Sequence, residues 1–478
     1  MRRATPVILA ATLLLVGCAT PPPVERTRPN VILISIDSLR ADHVGAYGYA
    51  KPTTPALDTF IASGAMFADS YATSPWTLPS HASMFTGLYP DAHMASRNDS
   101  RMDDAVHTAA EAFLAAGYDT QGIVCAPFLR QAYNIHQGFN GYDEEIARTK
   151  RPNIRQIKTS ESINKKALRY LKKRAANPQP FFLFLHYWDV HYDYNPPAKY
   201  VALFDPDYDG DIDGANISKR KDLIPGMDER DLEHIIALYD GEIRYTDDYL
   251  GKLLAYLDES GLARDTAVII TSDHGEEFLE HGSTGHTFTC FEELIRVPLA
   301  MRIPGVTRAG QVLDTRVENV DLYPTMLAIA GLKFKGGIHG HNLLPLIREG
   351  KAPPRETYYC ETRMGRRWGW RTPNGIWRSL LFADGRKVHY YKRAKMKKPE
   401  INLYNVGDDP GEKIDLAAGE GGADRVLPLR RELTQVHRAN RALGRKFGFS
   451  SASWKRKKKP GRENDGLEDQ LKGLGYVQ

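Results

Sequence analysis

Asp37, Asp273 and His274 mark this chain for chemistry, because each closes a short apolar run rich in β-favouring residues. "NVILISID" spans Asn30 to Asp37, and "TAVIITSDHGEE" spans Thr266 to Glu277. Such runs are what buried parallel strands look like, and ligands of parallel sheets bind just beyond the carboxyl ends of the strands. One strand-end Asp is commonly a helix cap. Two carboxylates and an imidazole meeting at one sheet end form a donor set for a divalent metal: Ca, Mg, Mn or Zn. A third run, "PFFLFLHYWDVH" (Pro180 to His191), ends in His191, and His281 and His286 follow "SDHG" on adjacent loops. Each of these histidines alone is more often structural. A second metal, on Asp189 with His191 or His286, is a weaker expectation.

The stretch "SPWTLPSHASMFTGLYP" (Ser74 to Pro90) adds three hydroxyls, Thr77, Ser80 and Ser83. Pro79 in a first turn, with Ser80 near the cap, predicts a helix starting at about Ser80. The unpaired N–H groups and positive dipole end of such a helix favour an anion. An N-capped surface helix fits the same residues.

Elements must carry these groups. Helical patterns in "VHTAAEAFLAAGY" (Val106 to Tyr118), Glu229 to Gly261 and "VDLYPTMLAIAG" (Val320 to Gly331) separate the apolar runs. Strands alternating with helices predict an α/β fold, a mainly parallel sheet covered on both faces. Beyond about residue 350 short alternating runs, as in "GWRTPNGIWRSLLFADGRKVHYY", predict a small antiparallel sheet, and a polar tail follows Gly448. "DPDYDGDIDG" (Asp205 to Gly214) mimics a calcium-binding EF-hand loop, but the twelfth position is Asn216 rather than a bidentate Glu, so a surface loop is expected.

The N-terminus supplies an address. Met1-Arg2-Arg3 and the apolar run Val7 to Val16, too short to span a bilayer, end on Leu15-Val16-Gly17-Cys18. That ending resembles the lipobox of bacterial lipoproteins, which implies a lipidated Cys18 and a place in the bacterial cell envelope, held by a membrane anchor. The expected division is signal 1–18, Pro-rich tether 19–28, catalytic domain 29–350, C-terminal subdomain 351–448 and basic polar tail 449–478. Cys125, Cys290 and Cys360 are an odd number, so no disulfide framework is expected. The 478 residues are 42% hydrophobic, enough for a large core, and the net charge of +5 concentrates in "YYKRAKMKK" (Tyr390 to Lys398) and "WKRKKKPGR" (Trp454 to Arg462). These read as solvated runs, with contact to anionic lipid or polymer as the functional alternative and no nucleic-acid partner expected.

Ordered pieces of the chain resemble the sulfatases of the alkaline phosphatase superfamily. They include "RPNVILISIDSLRADHVGAYGY", "TTPALDTFIASGAMFADSYATSPWTLPSHASMFTGLYP", "FFLFLHYWDVHYDYNPP", "TAVIITSDHGE", "HTFTCFEELIRVPL" and "LYNVGDDPGEKIDLA". The resemblance runs from about Pro29 to Leu416, with an echo in the terminal "LKGLGYV". It implies the same α/β sheet and C-terminal antiparallel sheet, and a hydrolase acting on anionic esters, including cell-envelope, polysaccharide or lipid components. Asp37, Asp273 and His274 match metal positions of the family, while Ser38 stands where many members have a second Asp. His191 matches a histidine near the leaving group, and His286 falls where many members carry a substrate-binding Lys.

The opening stretch departs from the family most. The sulfatase signature is Cys or Ser, any residue, Pro, any residue, Arg, with the Cys or Ser oxidised to formylglycine. Aligned on Pro79, Thr77 takes the nucleophile position and His81 takes the Arg position, and Thr is not a substrate for that oxidation. Formylglycine hydrate expels sulfate by collapsing to the aldehyde, whereas a sulfated Thr has no such exit. Unmodified Thr77, as nucleophile and metal ligand, therefore points to phosphoryl or phosphonyl transfer. His81 is expected to support the nucleophile or the anion, with His191 and His286 orienting substrate or moving protons. The alternatives are direct sulfate-ester hydrolysis without formylglycine, and a silent anion-binding lipoprotein.

Overall fold

A computed structural model describes residues 28–148, 159–215, 217, 220, 222–334, 336–363, 375–393, 396–448 and 467. Cys18, most of the tether, the basic run Trp454–Arg462 and the terminal "LKGLGYV" lie outside the described residues. No described helix is long and apolar enough to cross a membrane.

Eight strands form the main sheet: β1 (Asn30–Ile36), β2 (Ala65–Phe67), β3 (Asp119–Ile123), β4 (Gly141–Asp143), β5 (Phe181–Tyr187), β6 (Thr266–Ser272), β7 (Leu299–Arg302) and β8 (Gln311–Leu313). Their spatial order is β8-β2-β7-β6-β1-β5-β3-β4. Only β7 runs antiparallel to its neighbours β2 and β6. The three runs singled out in the sequence are the central strands β5, β1 and β6, and every residue in them is buried. Side chains buried on both faces explain their continuous apolar composition.

Helices cover the sheet: α1 (Pro55–Ala62), α2 (Thr77–Thr86), α3 (Ala109–Ala115), α4 (Thr159–Ala175), α5 (Glu229–Glu259) and α6 (Leu322–Ile329). Thr108 and Glu111 make a reciprocal capping box that starts α3. Helix α2 begins three residues earlier than Pro79 and Ser80 indicate, with Trp76 as its cap residue. Pro79 is tolerated in the first turn because its missing N–H would have had no helical partner. The shift puts Thr77 itself at the helix N-terminus.

A four-stranded antiparallel sheet follows, β9 (Thr357–Thr362), β10 (Gly375–Phe382), β11 (Arg386–Arg393) and β12 (Glu400–Asn405), in sequential order. The sequence pattern does not announce the long helix after it, α7 (Gly422–Arg445), whose interior contains Pro428. Buried charge joins this sheet to the main domain: Lys387 donates to Glu292 at 2.8 Å and to Glu412 at 3.1 Å.

Register in the centre of the main sheet is pinned by Asn30. Its amide donates to Thr266 Oγ1 at 3.0 Å on β6, and its carbonyl oxygen accepts from the Phe181 backbone N–H at 3.2 Å on β5. One buried side chain thereby fixes both neighbours of β1. Asn30→Leu strands a buried N–H and is expected to cost ~1–3 kcal/mol, read as a lower urea midpoint with an unchanged m-value. A midpoint within error of wild type would show that the clamp contributes nothing.

Candidate active site

The parallel ladder pairs Ile36 with Ser272, so Asp37 and Asp273 leave adjacent strands side by side. Ser35 pairs with His186 on the other side of β1. Ser35, Asp37, His186, Ser272 and Asp273 are all fully buried. Backbone geometry tightens the turn after β1: Ser38 has a positive φ of 59°, its N–H donates to Asp273 Oδ1 at 3.3 Å, and its hydroxyl donates to Asp37 Oδ1 at 3.0 Å. The Tyr239 hydroxyl on α5 accepts from the Arg40 N–H at 3.0 Å and donates to the Ser38 carbonyl at 2.7 Å.

The turn after β6 is held as firmly. Ser272 Oγ donates to the His274 carbonyl at 2.6 Å and accepts from the Leu39 N–H at 3.0 Å. Gly275 is required there, since a Cβ would meet the Glu293 carbonyl oxygen at 1.9 Å. Ser80 Oγ donates to the Asp273 carbonyl at 2.6 Å and accepts from the Asn319 amide at 2.7 Å. Ser80 thus anchors a strand end. Ser83 lies against His93 Nε2 at 3.2 Å, so both serines are committed to structure and neither faces the carboxylates.

Thr77 does face them. Its Oγ1 lies 3.5 Å from Asp37 Oδ2, at the first residue of α2, and the residue is 2% exposed. His81 is one helical turn on, and both its ring nitrogens are engaged. Nδ1 lies 2.8 Å from the Thr77 carbonyl and Nε2 lies 3.0 Å from Ser35 Oγ. Burial, with His186 close by, pushes its pKa down to about 3. Of the two roles expected of His81, supporting the nucleophile or the anion, its contacts match the first: it holds the carbonyl of Thr77.

Asp37, Asp273 and His274 come together, their nearest ligand atoms all lying within 4.8 Å of one another. His274 Nε2 is 3.4 Å from both Asp37 Oδ1 and Asp273 Oδ2. Asp273 Oδ2 and His274 Nε2 are buried without a hydrogen-bond partner. Separations of this size are those of neighbouring ligands on one ion at metal–ligand lengths of ~2.0–2.6 Å. His274 Nδ1 is 2.8 Å from the Gly275 carbonyl, which fixes the tautomer that leaves Nε2 as the donor atom. The residues therefore fit a divalent cation.

Electrostatics carries the same message. Burial opposes ionisation of Asp37, yet His186, whose Nε2 is 3.2 Å from Oδ2, together with His191 and His274 holds its pKa below the usual carboxylate range. Asp273 is driven well above that range by burial and by repulsion from Asp37. Burial lowers the pKa of His274, which keeps the imidazole available as a neutral ligand.

Two further histidines complete the cluster. The His286 ring centroid is 4.2 Å from that of His274 and 4.8 Å from that of His191. His286 Nδ1 is 2.9 Å from Glu276 Oε1, and His191 Nδ1 is 2.5 Å from the Tyr192 carbonyl. The sequence reading passed over Glu276 and His186. A histidine inside an otherwise apolar strand was the available signal for His186, and the acid following "DHG" was the signal for Glu276. One expectation fails, that of a second metal on Asp189, while His281 takes the structural role. Asp189 accepts the N–H groups of Thr159 and Ser160 at 2.9 and 2.6 Å, capping α4 instead of binding a second metal. His281 stacks on Phe291 at 3.5 Å and pairs with Glu293 at 2.8 Å, beside the C-terminal sheet.

Comparison with known proteins accords with this geometry. Residues 29–332 match the family model "Sulfatase", and residues 280–439 match "N-sulphoglucosamine sulphohydrolase, C-terminal". The chain is 27% identical over 386 residues to Arylsulfatase K of Gallus gallus, covering 72% of each protein. It is 29% identical over 409 residues to the multifunctional alkaline phosphatase superfamily protein PehA of Trinickia caryophylli, covering 68% of this chain and 78% of that protein. The fold matches the crystal structure of a phosphonate monoester hydrolase of Agrobacterium radiobacter with a TM-score of 0.69 and 22% identity, covering 86% of this chain and 96% of the other.

Removing one carboxylate separates cation binding from charge repulsion. Asp273→Asn is expected to weaken divalent-metal affinity at least ~100-fold, the upper end of what outer-shell changes alone cost, as measured by calorimetric titration. In chelator the sign reverses. A carboxyl whose folded pKa is raised destabilises the fold once pH exceeds its unfolded value, so metal-free Asp273→Asn should melt above metal-free wild type at pH 7. Equal affinity, or a lower melting point in chelator, would contradict the shared site.

Proposed function

Since the chain belongs to the sulfatase family, we propose that it is a metal-dependent hydrolase of monoanionic phosphate diesters or phosphonate monoesters, with unmodified Thr77 as nucleophile. The observation that carries the proposal is the placement of a buried Thr77 hydroxyl at a helix N-terminus, 3.5 Å from the Asp37 carboxylate.

Held by Asp37, Asp273, His274 and the Thr77 oxygen, a divalent cation would lower the pKa of that hydroxyl and neutralise charge on the phosphoryl oxygens. The imidazole in the donor set favours Mn or Zn over Ca or Mg. Asp37 is already ionised and orients the Thr77 hydroxyl. Thr77 Oγ1, having lost its proton to water, then attacks phosphorus as the alkoxide, and the ester oxygen departs with a proton from the His191–His286 pair. In the second step the same pair takes back a proton from water, whose oxygen attacks the phosphoryl-threonine and releases Thr77 as the alkoxide again. Glu276 fixes His286 by holding Nδ1, which assigns proton movement to Nε2.

Substrate charge follows from His81. A neutral, fully engaged imidazole supplies no cation for a second negative charge on the substrate, so a monoanion suits the site better than a phosphate monoester dianion. Sulfate esters are also monoanions, and only the chemistry of the intermediate separates the two classes: a sulfated threonine lacks the exit open to formylglycine. The comparisons include arylsulfatases and a phosphonate monoester hydrolase fold alike, so the phosphoryl reading rests on Thr77 and His81. The lipobox-like Leu15-Val16-Gly17-Cys18 supports placement of the enzyme on a bacterial membrane surface, where anionic envelope esters would reach it.

Thr77→Ala should lower kcat/KM on an aryl phosphate diester by ~10³-fold or more, while Thr77→Ser keeps measurable turnover. Acid-quenched wild type should carry on Thr77 one phosphoryl group that retains the diester's second ester substituent, read by mass spectrometry. Faster cleavage of a matched aryl sulfate by protein with Thr77 unmodified would refute the phosphoryl preference while leaving the family membership intact.

A further inference from the structure

Cys290 and Cys360 lie far apart in sequence but face each other across the seam between the main domain and the C-terminal sheet. Cys290 precedes the short turn Glu292–Ile295, and Cys360 lies in β9. The Cys360 thiol donates to Cys290 Sγ at 3.2 Å. That separation is shorter than the ~3.5–4.0 Å optimum even for nonbonded carbon atoms, and only ~1.2 Å longer than a sulfur–sulfur bond. Both side chains are buried, at 0% and 2% exposure, in an apolar cluster with Tyr71, Leu294, Val297 and Leu381. Cys125 lies elsewhere, its thiol donating to the His186 carbonyl at 2.9 Å.

We propose that Cys290 and Cys360 form a disulfide that ties the loop carrying His286 to the C-terminal sheet. Three cysteines cannot all pair, but two of the free thiols lie in contact. In the reaction two Sγ–H bonds break and one Sγ–Sγ bond forms. The two protons and two electrons pass to a disulfide-bearing oxidant, such as oxidised glutathione or a thiol–disulfide exchange protein, which leaves as two thiols. The bond forms as the chain folds, while the sulfurs are still accessible. Once buried, the Cys360 thiol is pushed well above its ordinary pKa by burial and by Cys290, so an unbridged Cys360 would be inert.

The bridge would stiffen a connection already present. Thr362 Oγ1, two residues beyond Cys360, donates to the Thr287 carbonyl at 2.5 Å. Thr287 directly follows His286, so the bridge and this hydrogen bond bracket the segment leading from the histidine cluster. The proposal stands independently of which ester the enzyme cleaves.

Full-length protein is refolded in a glutathione redox buffer, alkylated with a maleimide after denaturation, and mapped by non-reducing proteolysis and mass spectrometry. The expected result is one Cys290–Cys360 cross-linked peptide pair, with Cys125 alkylated. Protein refolded with a phosphine reductant should melt on the order of 5 °C lower. Cys125→Ala should keep that redox dependence, and Cys290→Ala/Cys360→Ala should lose it. Alkylation of both Cys290 and Cys360 after refolding in oxidised glutathione, or a bridge to Cys125, would overturn the proposal.

Discussion

Ile36 and Ser272 are partners in a parallel ladder, and the residue after each is a buried aspartate. Two carboxylates leaving one sheet at the same height repel each other in a medium that solvates neither, and the fold supplies the compensation around them. His186 stands beside Asp37, backbone N–H groups of Ser38 and His274 face Asp273 Oδ1, and Asp273 Oδ2 and His274 Nε2 stay without hydrogen-bond partners. A cation at that point is the cheapest way to keep both carboxylates ionised. The surrounding contacts read as supports for this arrangement: Asn30 sets the register, Ser272 and Ser80 hold the strand end, and Tyr239 clamps the turn after β1.

Helix α2 answers the same charge problem from the other side. Its N-terminus brings a positive dipole end toward the carboxylates, and with it the Thr77 hydroxyl. His81 occupies the following turn but faces the Thr77 carbonyl and the Ser35 hydroxyl, so the positive charge that an Arg would bring is absent. Cation, substrate charge and nucleophile are therefore linked. The proposed monoanionic phosphoryl substrate follows from these two features: a threonine that cannot become formylglycine, and a site with less positive charge.

Much of this was legible in the sequence because it depends on local pattern. Apolar runs ending in Asp37 and Asp273 identified the central strands and the end of the sheet that carries the cluster, and resemblance to sulfatases brought Thr77 into view. What stayed hidden depends on three-dimensional direction. Asp189 looked like a ligand but turns back to cap α4, and His281 looked like a neighbour of His286 but stacks under Phe291. The start of α2 was misread because Pro79 and Ser80 suit a cap as well as a first turn. Counting cysteines showed that they could not all pair, yet not that Cys290 and Cys360 lie in contact across the seam.

The central claim, that register-paired carboxylates and Thr77 share one cation, is tested most directly by anomalous diffraction from crystals of the metal-loaded protein. The account predicts one strong peak in this cluster, at ~2.0–2.6 Å from Asp37, Asp273, His274 Nε2 and Thr77 Oγ1. A peak bonded elsewhere, or one bonded to the carboxylates with Thr77 Oγ1 beyond coordinating distance, would contradict it.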